Sequence, residues 1–226
     1  MIDLRRGDFR EVLADEQWDH TIMDGPYGPR THTGNDEDKR RSSDGSERRA
    51  ISYSCWTPLH VFDAVNFLAP RTRSWFCSMT SHDLIPAWEE ALEHHGLYVF
   101  APIPVRTRPR VRLQGDGPGS SCCFLVVARP REKRFMGWGA LPGDYLRSAG
   151  DIDSPIMGGK PLGVMRRIVA DYSRQGDIIC DPTAGMATTL LAAESIGRRA
   201  IGAEVDPTTH AAALERIRGG NQLALV

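Results

Sequence analysis

Asp24, Gly25, Pro26, Tyr27 and Gly28 place a carboxylate, a peptide carbonyl held by the following proline, and an aromatic ring side by side. They follow residues 19–24, a short run that reads as a strand broken by the glycines and prolines after it. A base swung out of a nucleic-acid stack needs such a set: a ring to stack on, and acceptors for its exocyclic N–H groups. Alone, the segment is an ordinary turn. A second strand end supplies the context. The apolar run before Asp181 empties into Asp181, Pro182, Thr183, Ala184 and Gly185, and a helix reads from Thr188. Such a turn lets a ligand approach the N–H groups of a helix N-terminus. It lacks the Gly-Lys-Ser/Thr of a phosphate-binding loop and the three glycines of a dinucleotide fingerprint. The next strand ends at Glu204, a carboxylate suited to accept hydrogen bonds from ribose hydroxyls. With Asp181 and Glu204 at two strand ends, the pattern points to a nucleoside-bearing ligand.

The elements that must position these groups alternate. Strands are expected at 19–24, 74–79, 97–105, 122–128, 177–180 and 199–204. Helices are expected at about 57–68, from 81 to a stop at Gly96, at 160–174, 188–195 and 208–218. Thr57-Pro58 is a helix start with proline at the first turn. Residues 97–128 read as a hairpin with a long basic tip, and residues 130–157 as irregular. Strands alternating with helices argue for a mostly parallel sheet covered on both faces. One domain over residues 1–226 is expected, with loop insertions at about 29–50, 106–119 and 130–157.

Composition narrows the class. A chain of 226 residues with 41% hydrophobic and 25% charged residues is an ordinary globule, not a disordered polymer. The net charge of −1 gives no bulk basicity, so any nucleic-acid surface is local. Residues 106–134 supply one: eight basic side chains against two acidic ones, Arg106, Arg108, Arg110 and Arg112 among them. Charge runs usually mark solvated faces; here phosphate contact is the preferred reading. The five cysteines include no CxxC pair, which argues against a disulfide framework or a cysteine zinc site and for a reducing cytoplasm. The seven histidines form no metal-ligand set, so no metal is expected. The start Met1-Ile2-Asp3-Leu4-Arg5-Arg6 is no signal peptide. The longest apolar run, residues 122–128, is too short to span a membrane.

Both strand-end segments resemble those of the DNA amino-methyltransferases, which methylate adenine N6 or cytosine N4 with S-adenosylmethionine. Asp24-Gly25-Pro26-Tyr27 resembles the family's catalytic DPPY. Residues 181–189 resemble its cofactor motif DPFxGSGTT, and Glu204, Val205, Asp206 and Pro207 continue the match. Gly7-Asp8 is similar to the GD element ahead of DPPY, and Lys160-Pro161 to the KP element ahead of the cofactor motif. Catalytic motif first and cofactor motif last is the order of the β group. The matched segments are 1–28 and 155–218; the middle agrees only in pattern. Three residues depart from the family: Gly25 for proline, Thr183 for phenylalanine, and Met186-Ala187 for Ser-Gly.

The resemblance implies a Rossmann-like α/β methyltransferase fold, circularly permuted in motif order, with a mostly parallel seven-stranded sheet and helices on both faces. It implies S-adenosylmethionine as cofactor. Asp8 would contact its adenine end and Glu204 its ribose. Gly185 and neighbouring amides would meet the methionine part, which Lys160 and Pro161 would line. Pro182, Thr183, Thr188 and Asp206 complete the cofactor set. Asp181 would fix the turn or the cofactor amine; capping the following helix is an equal alternative. Asp24 and the Gly25 carbonyl would accept the target amine's N–H bonds, Pro26 would hold the turn and Tyr27 would stack on the base. The expected partner is double-stranded DNA, with adenine N6 favoured over cytosine N4, in the cytoplasm of a bacterial or phage-infected cell; a homodimer stays open. Two rivals remain: methylation of RNA or a small molecule, and a non-catalytic DNA-binding accessory subunit.

Overall fold

The computed structural model describes residues 1–31, 55–106, 122–131, 138–148, 151 and 159–223. Among them nine strands make one sheet: β1 (Ile2–Arg6), β2 (His20–Asp24), β3 (Phe76–Thr80), β4 (Leu97–Val99), β5 (Ile103–Arg106), β6 (Cys123–Pro130), β7 (Tyr145–Leu146), β8 (Ile178–Asp181) and β9 (Arg199–Glu204). The helices are α1 (Phe9–Val12), α2 (Pro58–Leu68), α3 (Ile85–His94), α4 (Leu162–Tyr172), α5 (Thr188–Ser195) and α6 (Pro207–Leu223). The order β1-β9-β8-β2-β3 is parallel throughout. β6 then runs antiparallel to β3, and β4 and β5 run antiparallel to β6.

The strands show why the sheet is covered twice. Ile22, Cys77, Met79, Leu125, Val127, Ile179 and Ala200 point to one face, where α4 brings Val164, Ile168 and Val169 and α5 brings Leu190 and Ala193. Met23, Phe76, Val126, Ala128, Cys180, Ile201 and Ala203 point to the other, against Val61, Val65 and Leu68 of α2 and Trp88 and Leu92 of α3. Successive residues of a strand alternate faces, so a strand apolar on every position belongs in the middle of such a sandwich. α2 starts as its sequence suggests, with Pro58 in the first turn and a reciprocal capping arrangement between Thr57 and His60.

The structure corrects the expected strand count from seven to nine. The run 97–105 divides into β4 and β5 because both pair with the single long β6, β4 opposite 128–130 and β5 opposite 123–125. Pro102, in the gap between them, lacks a donor for the ladder. Residues 130–157 are not wholly irregular: the two-residue β7 pairs with β5. Asp151 is also tied down, accepting from the Ser148 amide at 2.9 Å and pairing with Arg167 at 3.0 Å. β1 was absent from the expected elements. It is an edge strand whose residues alternate with charged ones, so its apolar content is low. Most of the expected insertion 29–50, and 107–119, lie outside the described residues. No helix among the described residues is long and apolar enough to cross a membrane.

Candidate active site

Four neighbouring parallel strands, β1, β9, β8 and β2, deliver their C-terminal ends to one cavity of about 500 Å³. Asp8 follows β1, Glu204 closes β9, Asp181 closes β8, and Asp24 closes β2; all four line it. Parallel strands put all their carboxyl ends on one edge, which is why ligands of open α/β sheets bind there. Gly25, Pro26, Lys160, Pro182, Thr183, Gly185, Thr188 and Asp206 also line the cavity. Two expected residues do not: Tyr27 lies beside it, and Pro161 is buried at the N-cap of α4.

Asp24 does not stand alone. The Lys160 ammonium donates to both its carboxylate oxygens, at 2.8 and 3.0 Å, and the Tyr27 hydroxyl donates to one at 3.4 Å. The same ammonium lies 4.6 Å from the centre of the Tyr27 ring. Lys160 is 5% exposed, so this ion pair is largely withdrawn from water. The structure therefore brings the lysine expected on the cofactor's methionine side onto the candidate catalytic carboxylate.

Asp181 is the most buried acid of the site, at 1% exposure. Burial pushes its pKa up to about 7, the Asp24 and Glu204 carboxylates push the same way, and bonds from the Thr189 hydroxyl and Thr183 amide pull against them. The Thr183 amide donates to the Asp181 carboxylate at 3.2 Å. Glu204 links two loops: one oxygen accepts the Gly185 amide at 2.9 Å and the other the Asp206 amide at 2.8 Å. Asp206 accepts in turn from the Thr209 amide at 2.7 Å, which holds its pKa below the usual carboxylate value. Asp8 caps α1 through the Arg10 amide at 2.9 Å and pairs with the Arg10 guanidinium, which holds its carboxyl below the usual range. Gly185 has φ +50, and no heavy atom lies within 4 Å of where a Cβ would stand. The turn is left-handed there and open on its outer side, as close approach of a ligand to backbone requires. Ala187 shares the left-handed conformation, at φ 60, but carries a Cβ.

Several cavity residues were not singled out by sequence. Arg10 lies two positions after Asp8, and His60, Asp63 and Ala64 form a stripe on α2 with helical spacing. That stripe is a legible signal, since it lies on a helix beginning just after the first loop. Trp56 lines the cavity and also stacks on Trp88, with ring centres 6.0 Å apart. Trp138 is packing: it meets Trp75 and His20 edge-on, at 5.6 and 5.9 Å. Of the DNA-contact candidates, Arg106 is exposed at the end of β5; Arg108, Arg110 and Arg112 lie outside the described residues. No group of metal-ligating side chains occurs among the described residues.

This arrangement of permuted motifs on a parallel sheet is the Rossmann-like architecture of the S-adenosylmethionine-dependent DNA amino-methyltransferases. Residues 157–215 match the model of the N6_N4_Mtase family, described as DNA methylase. No curated protein matches the chain. Solved structures do. M1.HpyAVI in complex with S-adenosylmethionine is 18% identical, with 96% of this chain and 98% of that chain covered and a TM-score of 0.70. TTHA0409 of Thermus thermophilus, assigned as a DNA modification methylase, is 22% identical over 97% and 95% of the two chains, at a TM-score of 0.63. The PvuII DNA methyltransferase, specific for cytosine N4, is 13% identical over 95% and 86%, at 0.61. At these identities the structural likeness establishes the fold, and the family match adds the signature carried by the C-terminal part of the chain.

Proposed function

We propose that this chain transfers a methyl group from S-adenosylmethionine to the exocyclic amine of a base extruded from double-stranded DNA, adenine N6 in preference to cytosine N4. The observation that carries the reading is the continuity of the site: Asp24, Gly25 and Pro26 line the same cavity as Asp181, Gly185 and Glu204. Residues 1–226 are read as one domain; a homodimer is compatible with it and is decided by light scattering.

The cavity suits this cofactor. Acidic residues (Asp8, Asp24, Asp63, Asp181, Glu204, Asp206) outnumber the basic pair Arg10 and Lys160, which favours a ligand carrying positive charge. The Thr183 hydroxyl lines the cavity, is buried and has no hydrogen-bond partner among the described residues, so a polar ligand atom would satisfy it. Bound there, S-adenosylmethionine supplies an electrophilic sulfonium methyl. Glu204 and Asp8 would hold its nucleoside end, and Asp181 and the Gly185 turn its amino-acid end.

The chain's own part is positioning. The target amine is a poor nucleophile because its lone pair is conjugated with the ring. Asp24 and the Gly25 carbonyl accept its two N–H bonds, which favours a pyramidal nitrogen aimed along the transfer line. A carboxylate has about four lone-pair directions, so Asp24 can accept an amine hydrogen while Lys160 remains bound. Tyr27 stacks on the base. The deciding experiment is methyl transfer from labelled cofactor to methyl-free duplex DNA, tRNA and free nucleotides, with the DNA product digested to nucleosides. Label on N6-methyladenine supports the reading, label on N4-methylcytosine changes the base, and label on RNA or nucleotides alone replaces it.

Two expected results follow at once. Gly25 is not among the glycines of positive φ, and a Cβ there comes closest to the terminal methyl of Met23, at 2.9 Å, with the Trp56 ring in ordinary contact at 3.7 and 3.9 Å. Gly25→Pro should therefore fold and hold or raise the single-turnover rate, because proline pre-organises the acceptor carbonyl. A folded, cofactor-binding but inactive variant would separate this site from the family's catalytic backbone. Changing Arg106, Arg108, Arg110 and Arg112 together to alanine should flatten the salt dependence of DNA binding, by about 0.9 in log–log slope for each phosphate no longer neutralised. An unchanged slope assigns the run to a solvated face.

A further inference from the structure

The left-handed Ala187 is held from outside the cavity. On α6, the Arg216 guanidinium donates to the Met186 carbonyl at 2.7 Å and to the Thr188 hydroxyl at 2.8 Å, the residues immediately before and after Ala187. Arg216 does not line the cavity, but Met186 and Thr188 do.

Three unfavourable features meet here. Ala187 is the only non-glycine residue of positive φ among those described, a conformation that costs an L-residue about 1–2 kcal/mol. Arg216 lies at the N-terminus of α5, the positive end of a helix, where a cation is disfavoured. It is also partly buried, and among the described residues no carboxylate pairs with it. Neither helix electrostatics nor ion pairing accounts for an arginine in that place. Its two bonds do: they bracket the strained residue and fix the turn between Gly185 and Thr189.

We propose that Arg216 is a positioning residue that clamps the turn 185–188 in its left-handed form and thereby sets the affinity for S-adenosylmethionine. The proposal rests on the reading of the cavity as a cofactor site. It explains how this chain carries Met186-Ala187 where related turns carry Ser-Gly. A glycine enters the left-handed region freely, whereas an alanine must be held there. The clamp also ties α6 to the ligand site, so a change well away from the cavity alters binding.

The test is a double-mutant cycle read in two ways. Calorimetric titration with S-adenosylmethionine is run on the wild-type chain, Arg216→Met, Ala187→Gly and the double variant. Hydrogen exchange of the amides 185–189 is followed in the same four proteins without ligand. Arg216→Met should weaken binding about tenfold, the size expected for losing a charged donor, and should speed exchange at the turn. In the Ala187→Gly background the same change should cost less than about threefold, because the strain the clamp opposes has gone. Both bonds leave one terminal nitrogen, Nη1. Arg216→Lys keeps the charge and a nitrogen able to donate twice, but on a shorter stem without the planar guanidinium, so it should fall between, and it carries the cycle if Arg216→Met does not fold. Equal losses in both backgrounds, or unchanged exchange at the turn, overturn the clamp. If the wild-type chain binds no S-adenosylmethionine while Arg216→Met still loosens the turn, the cofactor reading and the affinity half of the proposal fall, and the clamp stands.

Discussion

Asp24→Ala should reduce methyl transfer to below about a hundredth of the wild-type rate while S-adenosylmethionine still binds. The carboxylate is assigned to the target amine, not to the cofactor, so binding and turnover should part company. The structure adds a consequence for folding. Lys160 is nearly fully buried and spends its ammonium on Asp24, at 2.8 and 3.0 Å. Removing the acid takes the carboxylate from that buried charge, and breaking a buried pair on one side costs about 3–5 kcal/mol, toward the lower end here because Asp24 keeps some exposure. A lower melting temperature is therefore expected along with the lost activity, and the two must be separated. Lys160→Met in the Asp24→Ala background removes the buried cation and should recover part of the stability, with no recovery of methyl transfer. Activity that returned with stability would show that Asp24 serves the fold and that its place in the chemistry is wrong. Single-turnover rates and urea denaturation of the three proteins decide it.

The strand ends were legible because they depend on local signals. Asp24 and Asp181 each end an apolar run and precede a proline or glycine, and that combination marks a parallel strand emptying into a turn. Glu204 also ends an apolar run, with its proline three positions on, at Pro207. The two-faced core was legible for a similar reason: residues such as Val126 and Val127 are apolar in succession, and only a sheet covered on both sides buries both. What escaped was set by pairing rather than by local sequence. β4 and β5 read as one strand because nothing short of their common partner β6 shows that each pairs with a different part of it. β1 escaped because an edge strand has one neighbour and tolerates Asp3 and Arg5.

The site was readable in its members and not in its connections. Asp24, Asp181 and Glu204 could be placed on one edge by topology; Asp8 came only through the resemblance, because β1 was not read as a strand. That Lys160 would cross 136 positions to bind Asp24 could not, because the contact depends on where the loop before α4 lies against β2. Arg216 gave no signal at all: an arginine on a terminal helix is ordinary surface until its two acceptors are seen. Ala187 did give one, as a residue bearing a Cβ where related sequences have none, but sequence could not show what held it.

Asp181→Asn should make the ligand-free protein more stable at pH 8 and leave it little changed at pH 4. The folded-state pKa of Asp181, about 7, lies above the ordinary 3.8, with burial as the chief cause. Between those values the folded chain keeps a proton that the unfolded chain has released. Stability from this group is therefore present at low pH and is lost as pH rises from about 4 to 7, by on the order of 4 kcal/mol. Asp8 and Asp206, whose pKa values are held down, work in the opposite sense and lose stability as pH falls, so the wild-type curve alone does not isolate the effect. The difference between wild type and variant does. Asparagine keeps an oxygen for the Thr183 amide, and the Thr189 hydroxyl can turn to accept from its NH2 group, so the packing survives while the charge goes. The same substitution should weaken S-adenosylmethionine binding, most strongly above pH 7, because it removes a carboxylate that a positively charged ligand would favour. Stability gained with affinity lost is what a strained, ligand-adapted acid predicts. Urea denaturation and calorimetric titration at pH 5, 6.5 and 8 read both halves. Parallel stability curves for the two proteins would show that Asp181 is already ionised at little cost, and would remove the electrostatic reason for assigning it to the ligand.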